Sequence, residues 1–249
     1  MSLARGLASG LVLPQARGLV RGSAGGGGAP WDGLTNIIGM WPMNESGAGP
    51  ALDASGNGVD MTAFNSPTYN ATGGPGGIAC RSTASGVGGY FQASGFGSLF
   101  DTDVTLVMWM KIAGSSTRGT FGCYGGGYVD GARAFTPSLF SGVLSAGGTQ
   151  SIPRRELDNN WRGVVFRWVL ATKTATTFIT GQGSASETYP ANIQAASTLV
   201  AMATGYGIGD DMDVATWGLT RYAFTDAEAA DFVTSARDWA YWQSFPGIP

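Results

Sequence analysis

The sequence predicts an all-β fold: an antiparallel two-sheet jelly-roll sandwich with one short C-terminal α-helix and an extended N-terminal arm. Three observations lead to this prediction. Glycine accounts for 41 of the 249 residues, which is far above the usual share of about 7%, and supplies turns. Charged residues make up only 12% of the chain, about half of the usual ~25%. Short runs of β-branched and aromatic residues alternate with turn residues from residue 36 onwards, as in sandwiches.

Residues 1–31 differ in composition from the rest of the chain and form the predicted arm. They contain Arg5, Arg17 and Arg21 but no acidic residue, and they end in the glycine run at residues 25–28. With so few large apolar side chains, this segment cannot offset the ordering entropy of about 1–2 kcal/mol per residue by folding alone. We therefore expect a flexible basic arm and linker at 1–31 that anchors the protein to an assembly, and a β-sandwich domain at 32–249.

The arm does not have the pattern of a secretory signal peptide. Such a signal needs an uninterrupted apolar stretch of roughly 7–15 residues, whereas Pro14, Arg17 and Arg21 divide this segment into shorter pieces. No apolar run in the chain reaches the ~18 residues of a membrane-spanning helix. We expect neither secretion by a cleaved leader nor a membrane span.

Composition also argues against several functional classes. The chain has no histidine, which excludes Ser-His-Asp and Cys-His catalysis and removes the commonest zinc ligand. Its net charge of −3 lacks the clustered basic residues that nucleic-acid binding requires. We therefore expect no cofactor, no metal, no nucleic-acid partner and no enzymatic activity.

The strands can be placed from their residue types. Residues 36–43 form a first strand, and residues 104–112 (VTLVMWMKI) form the longest and most apolar strand, which should be central. Residues 161–170 and 173–180 form a hairpin that turns near Ala171 and Thr172, and residues 212–222 form a late strand. Most tryptophans fall inside these strands and are expected to pack in the core: Trp41, Trp109, Trp161, Trp168 and Trp217.

A helix begins at Thr225. Thr225 and Glu228 have the spacing of a capping box, in which each side chain accepts a hydrogen bond from the other residue's backbone N–H. Acidic residues in the first turns suit the helix dipole. The helix should pack flat on the sandwich edge through an apolar stripe formed by Ala227, Ala230, Phe232, Val233, Ala236 and Trp239.

Three separated segments together resemble the laminin G-like jelly-roll branch of the concanavalin A-like lectin/glucanase superfamily. The first is GMWPMNE at 39–45 followed by DASGNG at 53–58, similar to the family's opening strand and turn. The second pairs residues 104–112 with DNNWRGVVF at 158–166. The third is MDVATW at 212–217 with RYAFTDAE at 221–228, similar to the closing strand and helix start. The resemblance implies this fold and the binding of carbohydrate or protein surfaces, although Arg162 and Gly163 replace the family's usual histidines.

The two cysteines leave alternatives open. Cys80 and Cys123 could form a disulfide, but their separation in sequence does not show whether their Cβ atoms meet. The interpretation that we favour is that both are small buried apolar residues.

Acidic residues suggest two kinds of site, and each has a structural alternative. Glycoside hydrolysis needs two opposed carboxylates, and Asp211 and Asp213 would share one strand face, but Asp213 occupies the position of a structural acid in the resembling family. Glu45, Asp53, Asn57 and Asp213 could supply oxygen ligands for calcium. The interpretation that we favour for Asp53 and Asn57 is that they form Asx turns.

The candidate ligand site is a glycine-rich loop at 124–133. It carries Tyr124 and Tyr128 with Asp130 and Arg133, which together offer an aromatic platform and charged partners for a sugar. The alternative is that both tyrosines pack as strand ends around a hairpin.

The sequence as a whole predicts a non-enzymatic virion protein, either a phage capsid decoration protein or a tail or fibre component. Its arm would contact other virion proteins through Arg5, Arg17 and Arg21, and its lectin-like sandwich would face surface glycans as a homo-oligomer. The alternatives are a stand-alone bacterial carbohydrate-binding or adhesion protein and a degenerate glycoside hydrolase.

Overall fold

The described part of the chain is built almost entirely from antiparallel strands. The computed structural model describes residues 36–83, 90–94, 101–113, 160–189 and 211–234, with shorter strand segments at 121–125, 128–129, 139–140, 143–145, 149–151, 155–156 and 198–201. The predicted arm, including Arg5, Arg17 and Arg21, lies outside the described residues.

Seventeen strands and one α-helix are described, and every strand pairing is antiparallel. In chain order they are β1 Ile37–Trp41, β2 Thr62–Phe64, β3 Thr68–Asn70, β4 Cys80–Thr83, β5 Tyr90–Ser94, β6 Val104–Ala113, β7 Phe121–Gly125, β8 Tyr128–Val129, β9 Leu139–Phe140, β10 Val143–Ser145, β11 Thr149–Ser151, β12 Arg155–Glu156, β13 Arg162–Val169, β14 Thr174–Ile179, β15 Gly183–Thr188, β16 Thr198–Ala201, β17 Asp211–Thr220 and the helix α1 Asp226–Thr234.

The larger sheet has eight strands in the order β15-β14-β13-β6-β17-β4-β3, and β1 pairs with β17 beside this path. Strand β6 lies between β13 and β17, which confirms the prediction that residues 104–112 form a central strand. The predicted hairpin is also confirmed, since β13 and β14 pair directly and the turn between them is closed by a hydrogen bond from Lys173 N to Leu170 O of 3.2 Å. The late strand is β17, which ends at Thr220 rather than Tyr222.

The smaller sheet has five strands in the order β2-β5-β16-β7-β8, and two short strand pairs, β9 with β12 and β10 with β11, lie outside both sheets. The two sheets form a sandwich around one apolar core. The larger sheet contributes every second residue of its central strands to this core, such as Leu106, Met108 and Phe166. The smaller sheet contributes Phe91 and Ala93. The all-β antiparallel sandwich predicted from the sequence is therefore the observed fold.

Tryptophans dominate the centre of this core. Trp41 and Trp217 are in contact at 4.8 Å between ring centroids, and Trp41 Nε1 donates to Val59 O at 2.8 Å. Trp168 is also fully buried, and Trp109 is buried on the opposite face of the larger sheet. The register of β17 shifts between Val214 and Thr216, as at a β-bulge, and both Val214 and Trp217 belong to this core.

The helix α1 covers the outer face of the larger sheet. Phe232 and Ala229 are buried there against Trp109, Val165 and Phe178. The prediction of packing on the sandwich edge was therefore wrong: the outer face of the sheet is itself apolar because Val107, Val165 and Phe178 point outwards, so it needs a cover.

The helix start was predicted correctly, and its buried face in part, since Phe232 is buried as expected and Val233 packs beside it. Glu228 N donates to Thr225 Oγ1 at 3.2 Å and Thr225 N donates to Glu228 Oε2 at 2.6 Å, which is the predicted capping box. Ala227 and Ala230 are exposed, however, and Ala229 is buried in their place. The rest of the predicted stripe, Ala236 and Trp239, lies outside the described residues.

Candidate functional site

The predicted ligand loop falls on the far end of the smaller sheet. Tyr124 lies in β7 and Tyr128 in β8, where Tyr124 pairs with Val129 and Gly125 pairs with Tyr128. The two tyrosines are thus on neighbouring strands without being a directly opposed pair. Asp130 and Arg133 lie outside the described residues, so the four-residue site stays a prediction.

The smaller sheet has one face in the core and one face away from it. In β5, Phe91 and Ala93 are buried between the sheets, so the alternating residues Tyr90 and Gln92 are on the other face. We call this side the open face. Tyr90 and Gln92 are only partly buried there.

A stacked aromatic pair lies on the open face. Phe64 of β2 is directly opposite Tyr90 of β5, and their rings stack at 4.4 Å between centroids with an interplanar angle of 11°. Thr62 is opposite Gln92 beside them, which adds a hydroxyl and a side-chain amide. The open face therefore combines aromatic surface with neutral hydrogen-bonding groups.

The strand register connects this pair to the predicted loop. Thr198 of β16 pairs with Ser94 on one side and with Tyr124 on the other. Directly opposed residues of an antiparallel pair belong to the same face of the sheet. Position 94 is two residues from Gln92 and four from Tyr90 along β5, so it lies on the same face as they do. Position 124 therefore belongs to the open face by backbone register.

The sequence prediction missed Phe64 and Tyr90. A usable signal was present in Tyr90, Phe91, Gln92 and Ala93, where core and open-face residues alternate with a period of two. Phe64 and Tyr90 come together only because the short strands β2 and β5, which are distant in sequence, pair in the folded chain.

The loop at 53–59 has the geometry of an Asx turn. Asp53 Oδ1 accepts hydrogen bonds from Met40 N and Ser55 N, both at 2.9 Å, and Oδ2 accepts from Ser55 Oγ at 2.8 Å and Val59 N at 3.1 Å. Asn57 does not form the Asx turn predicted for it: its Nδ2 donates to Ile37 O at 2.7 Å, while Val59 N donates to Asp53. Both carboxylate oxygens thus already bind protein donors, as expected for the turn rather than for a calcium ligand.

The acids considered for hydrolysis are also engaged structurally where their side chains are described. Asp213 Oδ1 accepts a hydrogen bond from Ser82 Oγ, and its Oδ2 lies 3.6 Å from Lys111 Nζ. The side chain of Asp211 lies outside the described set. Among the described residues, no group of three or more acidic or cysteine side chains is placed to hold a metal ion.

A buried arginine fixes the segment before the Asx turn. Arg81 is fully buried; its Nη1 lies 3.4 Å from Glu45 Oε2, and its Nη2 donates to Gly49 O at 2.9 Å. Its guanidinium carbon lies 4.9 Å from the centroid of the Phe91 ring. Burial lowers the pKa of Arg81, while Glu45 opposes that shift. This arrangement links the two sheets and has no open approach for a ligand.

Cys80 carries a free, buried thiol, so it is not bonded to Cys123. Burial, with a smaller contribution from Asp213, raises the pKa of this thiol to about 11. Cys80 therefore behaves as the small apolar residue that we favoured, and the side chain of Cys123 lies outside the described set.

A cleft of about 490 Å³ lies between helix α1 and the β14–β15 turn. Phe178, Thr180 and Ser184 line the sheet side, and Asp226, Val233 and Thr234 line the helix side. Arg167 is stacked over Phe178, with 5.2 Å from its guanidinium carbon to the ring centroid, and lies 2.7 Å from Asp226. These contacts hold the helix start against the sheet.

Comparison with solved structures shows the same fold in several binding domains. The chain is similar to the binding domain of Paraclostridial mosquitocidal protein 1, with a TM-score of 0.59 and 12% identity over 79% of this chain and 51% of that one. It is similar to botulinum neurotoxin type C, described as dependent on two ganglioside molecules for cell entry, with a TM-score of 0.57 and 12% identity over 78% and 49%. It is also similar to a Trypanosoma rangeli sialidase, with a TM-score of 0.55 and 15% identity over 78% and 32%.

The chain spans about half the length of the toxin binding domains that it matches. No protein-family model matches the sequence, and no curated protein matches it significantly. Within the described residues, no helix is long and apolar enough to cross a bilayer. At these identities the structural likeness shows a shared β-sandwich fold.

Proposed function

We propose that the chain is a non-enzymatic, glycan-binding module whose ligand lies on the open face of the five-stranded sheet. The observation that carries this proposal is the Phe64–Tyr90 stack with Thr62 and Gln92 beside it. The C–H face of a sugar ring packs on an aromatic ring, while hydroxyl and amide groups hydrogen-bond to the sugar's own hydroxyls. Neutral partners suit an uncharged or weakly charged glycan.

The structural neighbours support glycans as the ligand class. One neighbour depends on interaction with gangliosides, and another is a sialidase in complex with a keto-deoxy sugar acid. Both contain this fold within a longer chain. The partly exposed Asp213–Lys111 pair supports binding without hydrolysis, because a carboxylate held by a cation and a hydroxyl is poorly placed to act on a glycosidic bond.

Substitution of the stacked pair tests the proposal. Phe64→Ala and Tyr90→Ala should each weaken glycan binding about fivefold or more, since an aromatic contact contributes roughly 1 kcal/mol or more. Leu52→Ala is the control, because Leu52 is an apolar side chain that is 50% exposed and is not part of the stacked pair. Binding would be measured on a glycan array and then by calorimetry on the best ligand. Unchanged binding by both aromatic variants would refute the open face as the site.

The predicted loop is tested in the same assay. Replacement of both Tyr124 and Tyr128 by alanine should abolish glycan binding if the loop completes the site. Because the register places only position 124 on the open face, Tyr124→Ala alone should produce most of that loss. An equal effect of Tyr128→Ala alone would instead favour a ligand in the loop itself.

We further propose that the module is displayed on a virus particle as a phage head or tail component. The support is the basic, glycine-rich segment at 1–31, which cannot fold alone and precedes a domain that can. Deletion of residues 1–28 should abolish incorporation into particles while the purified sandwich stays folded and soluble. Normal incorporation without the arm would remove the main support for this proposal and favour a stand-alone adhesin.

A further inference from the structure

Strand β15 forms an exposed edge of the eight-stranded sheet. It pairs with β14 along all six of its residues and is the terminal strand of the described sheet. Five of its six residues are exposed, and Ala185 is partly buried. Most residues along this edge are therefore exposed.

The direction of the backbone groups follows from the register. Tyr189 N donates to Lys173 O at 2.9 Å, so the pair formed by these two residues is a hydrogen-bonded pair of the ladder. Such pairs alternate in antiparallel sheets with pairs whose N–H and C=O groups point outwards. Ser186 and Thr188, opposite Thr176 and Thr174, therefore direct their backbone donors and acceptors away from β14.

Side-chain contacts hold these two residues in place. Ser186 Oγ lies 2.8 Å from Thr176 Oγ1, and Thr188 Oγ1 lies 3.2 Å from Thr174 Oγ1. Close side chains are characteristic of pairs that do not exchange backbone hydrogen bonds, which agrees with the outward direction of the backbone groups. The open edge is thus a rigid, pre-formed row of donors and acceptors.

The edge has few of the features that usually prevent strand pairing. Natural edge strands are protected by charged side chains, above all lysine, and by proline, bulges, very short length or a covering helix or loop. In β15, Glu187 carries such a charge. The sequence of β15, GSASET, contains neither lysine nor proline, and its register with β14 is continuous over six pairs. Small side chains at Ala185 and Ser186 allow another strand to approach closely.

We propose that β15 pairs antiparallel with β15 of a second copy of the chain, about a two-fold axis through Ser186. Residues opposite each other must belong to the same sheet face, so Ser186 meets Ser186 of the second copy and Ala185 meets Glu187 of the second copy. The pairing uses the outward backbone groups and joins the two larger sheets. A net charge of only −3 in 249 residues opposes self-association weakly. This inference is independent of the proposed glycan binding.

The register has an electrostatic consequence at Glu187. The Glu187 side chains of the two copies become diagonal neighbours about 7–8 Å apart on one face. Glu187 is exposed, and no ion pair involving it is found among the described residues. The two carboxylates repel each other, so Glu187→Gln should tighten the dimer about threefold or more.

Sedimentation velocity of the full chain from about 1 to about 200 µM tests the proposal. The wild-type chain should form a reversible dimer, and Ser186→Pro and Ser186→Lys should raise its dissociation constant by about tenfold or more. Thr62→Lys is the matched control, because Thr62 is an exposed residue on β2, the terminal strand of the other sheet. Circular dichroism identifies a variant that fails to fold, in which case the other Ser186 variant decides. A wild-type chain that stays monomeric, or a dimer unaffected by Ser186→Lys, would overturn the inference.

Cross-linking tests the register itself. A hydrogen-bonded antiparallel pair has Cα atoms about 5.5 Å apart, which a disulfide can span. Ser186→Cys should therefore give a covalent dimer under mild oxidation, above the background of the wild-type chain. Thr188→Cys should not, because the two copies of residue 188 are separated by several residues along the strands. Equal cross-linking of both variants, or none from Ser186→Cys, would contradict pairing about Ser186.

Discussion

The Asx turn at Asp53 allows a stability change to be worked out from individual contacts. Asp53 accepts hydrogen bonds from three backbone N–H groups, those of Met40, Ser55 and Val59, and from the Ser55 hydroxyl. Asp53→Ala removes all four acceptor contacts and leaves partly buried donors without partners. A hydrogen bond to a charged acceptor contributes about 1.5–3 kcal/mol when buried. Because these groups are only partly buried, water replaces some of the contacts, and we expect a total loss of about 3 kcal/mol.

The assay is urea unfolding followed by tryptophan fluorescence. Trp41 and Trp217 are buried in the core and will report loss of the sandwich. For a domain of this size the loss corresponds to a fall in the thermal midpoint of roughly 6–12 °C. Asp60→Ala is the control, since Asp60 is exposed and accepts one bond, from Asp53 N at 2.8 Å, so it should cost about 1 kcal/mol.

Two results would refute this reasoning. If Asp53→Ala costs no more than Asp60→Ala, the carboxylate does not organise the turn. If added calcium raises the unfolding midpoint of the wild-type chain but not that of Asp53→Ala, the residue is a metal ligand, because a ligand that binds only the folded state stabilises it.

Three further substitutions test the helix, its packing and the buried thiol. Thr225→Ala should cost about 1 kcal/mol of unfolding free energy through the lost cap, and an unchanged midpoint would mean that the capping box contributes nothing. Gly163→Ala should cost about 2 kcal/mol in urea unfolding, because its Cβ would lie 2.9 Å from Trp109 and 3.0 Å from the Val233 Cα; a neutral effect would show that the helix shifts freely. Burial raises the pKa of the Cys80 thiol from 9.0 to about 11, so its protonated form stabilises the fold below pH 9.0 and this contribution disappears as pH rises towards about 11. Wild-type stability should therefore fall more steeply than that of Cys80→Ala across this range, and parallel curves would contradict the shift.

Local chemistry explains the parts of the fold that sequence analysis predicted correctly. The capping box depends on two side chains three residues apart, and the β13–β14 hairpin depends on one short turn. Strand β6 could be recognised as central because the residues on both of its faces are apolar. In the structure both faces are buried, with Leu106 and Met108 on one face and Val107 and Trp109 on the other.

The candidate site could be predicted only in part. Tyr124 was proposed from the glycine-rich loop that carries it, and its role in binding stays a prediction, although its backbone position belongs to the open face by register. Phe64 and Tyr90 could not be paired from sequence, because a three-residue strand such as β2 carries too little pattern to fix its partner. Arg81 could not be recognised as buried, since its burial requires Glu45 and Gly49 from a distant loop to satisfy its charge.

The sequence by itself determined the fold class, the order of the main strands, the Asx turn and the start of the helix, because each depends on residues that are close in the chain. Only the tertiary structure decided where those elements meet. The helix packs on the outer face of the larger sheet through Ala229 and Phe232, because that face is apolar and must be shielded from water. Likewise, the open face and the exposed edge of β15 depend on the pairing of strands distant in sequence, because only that pairing decides which strand lies last in the described sheet.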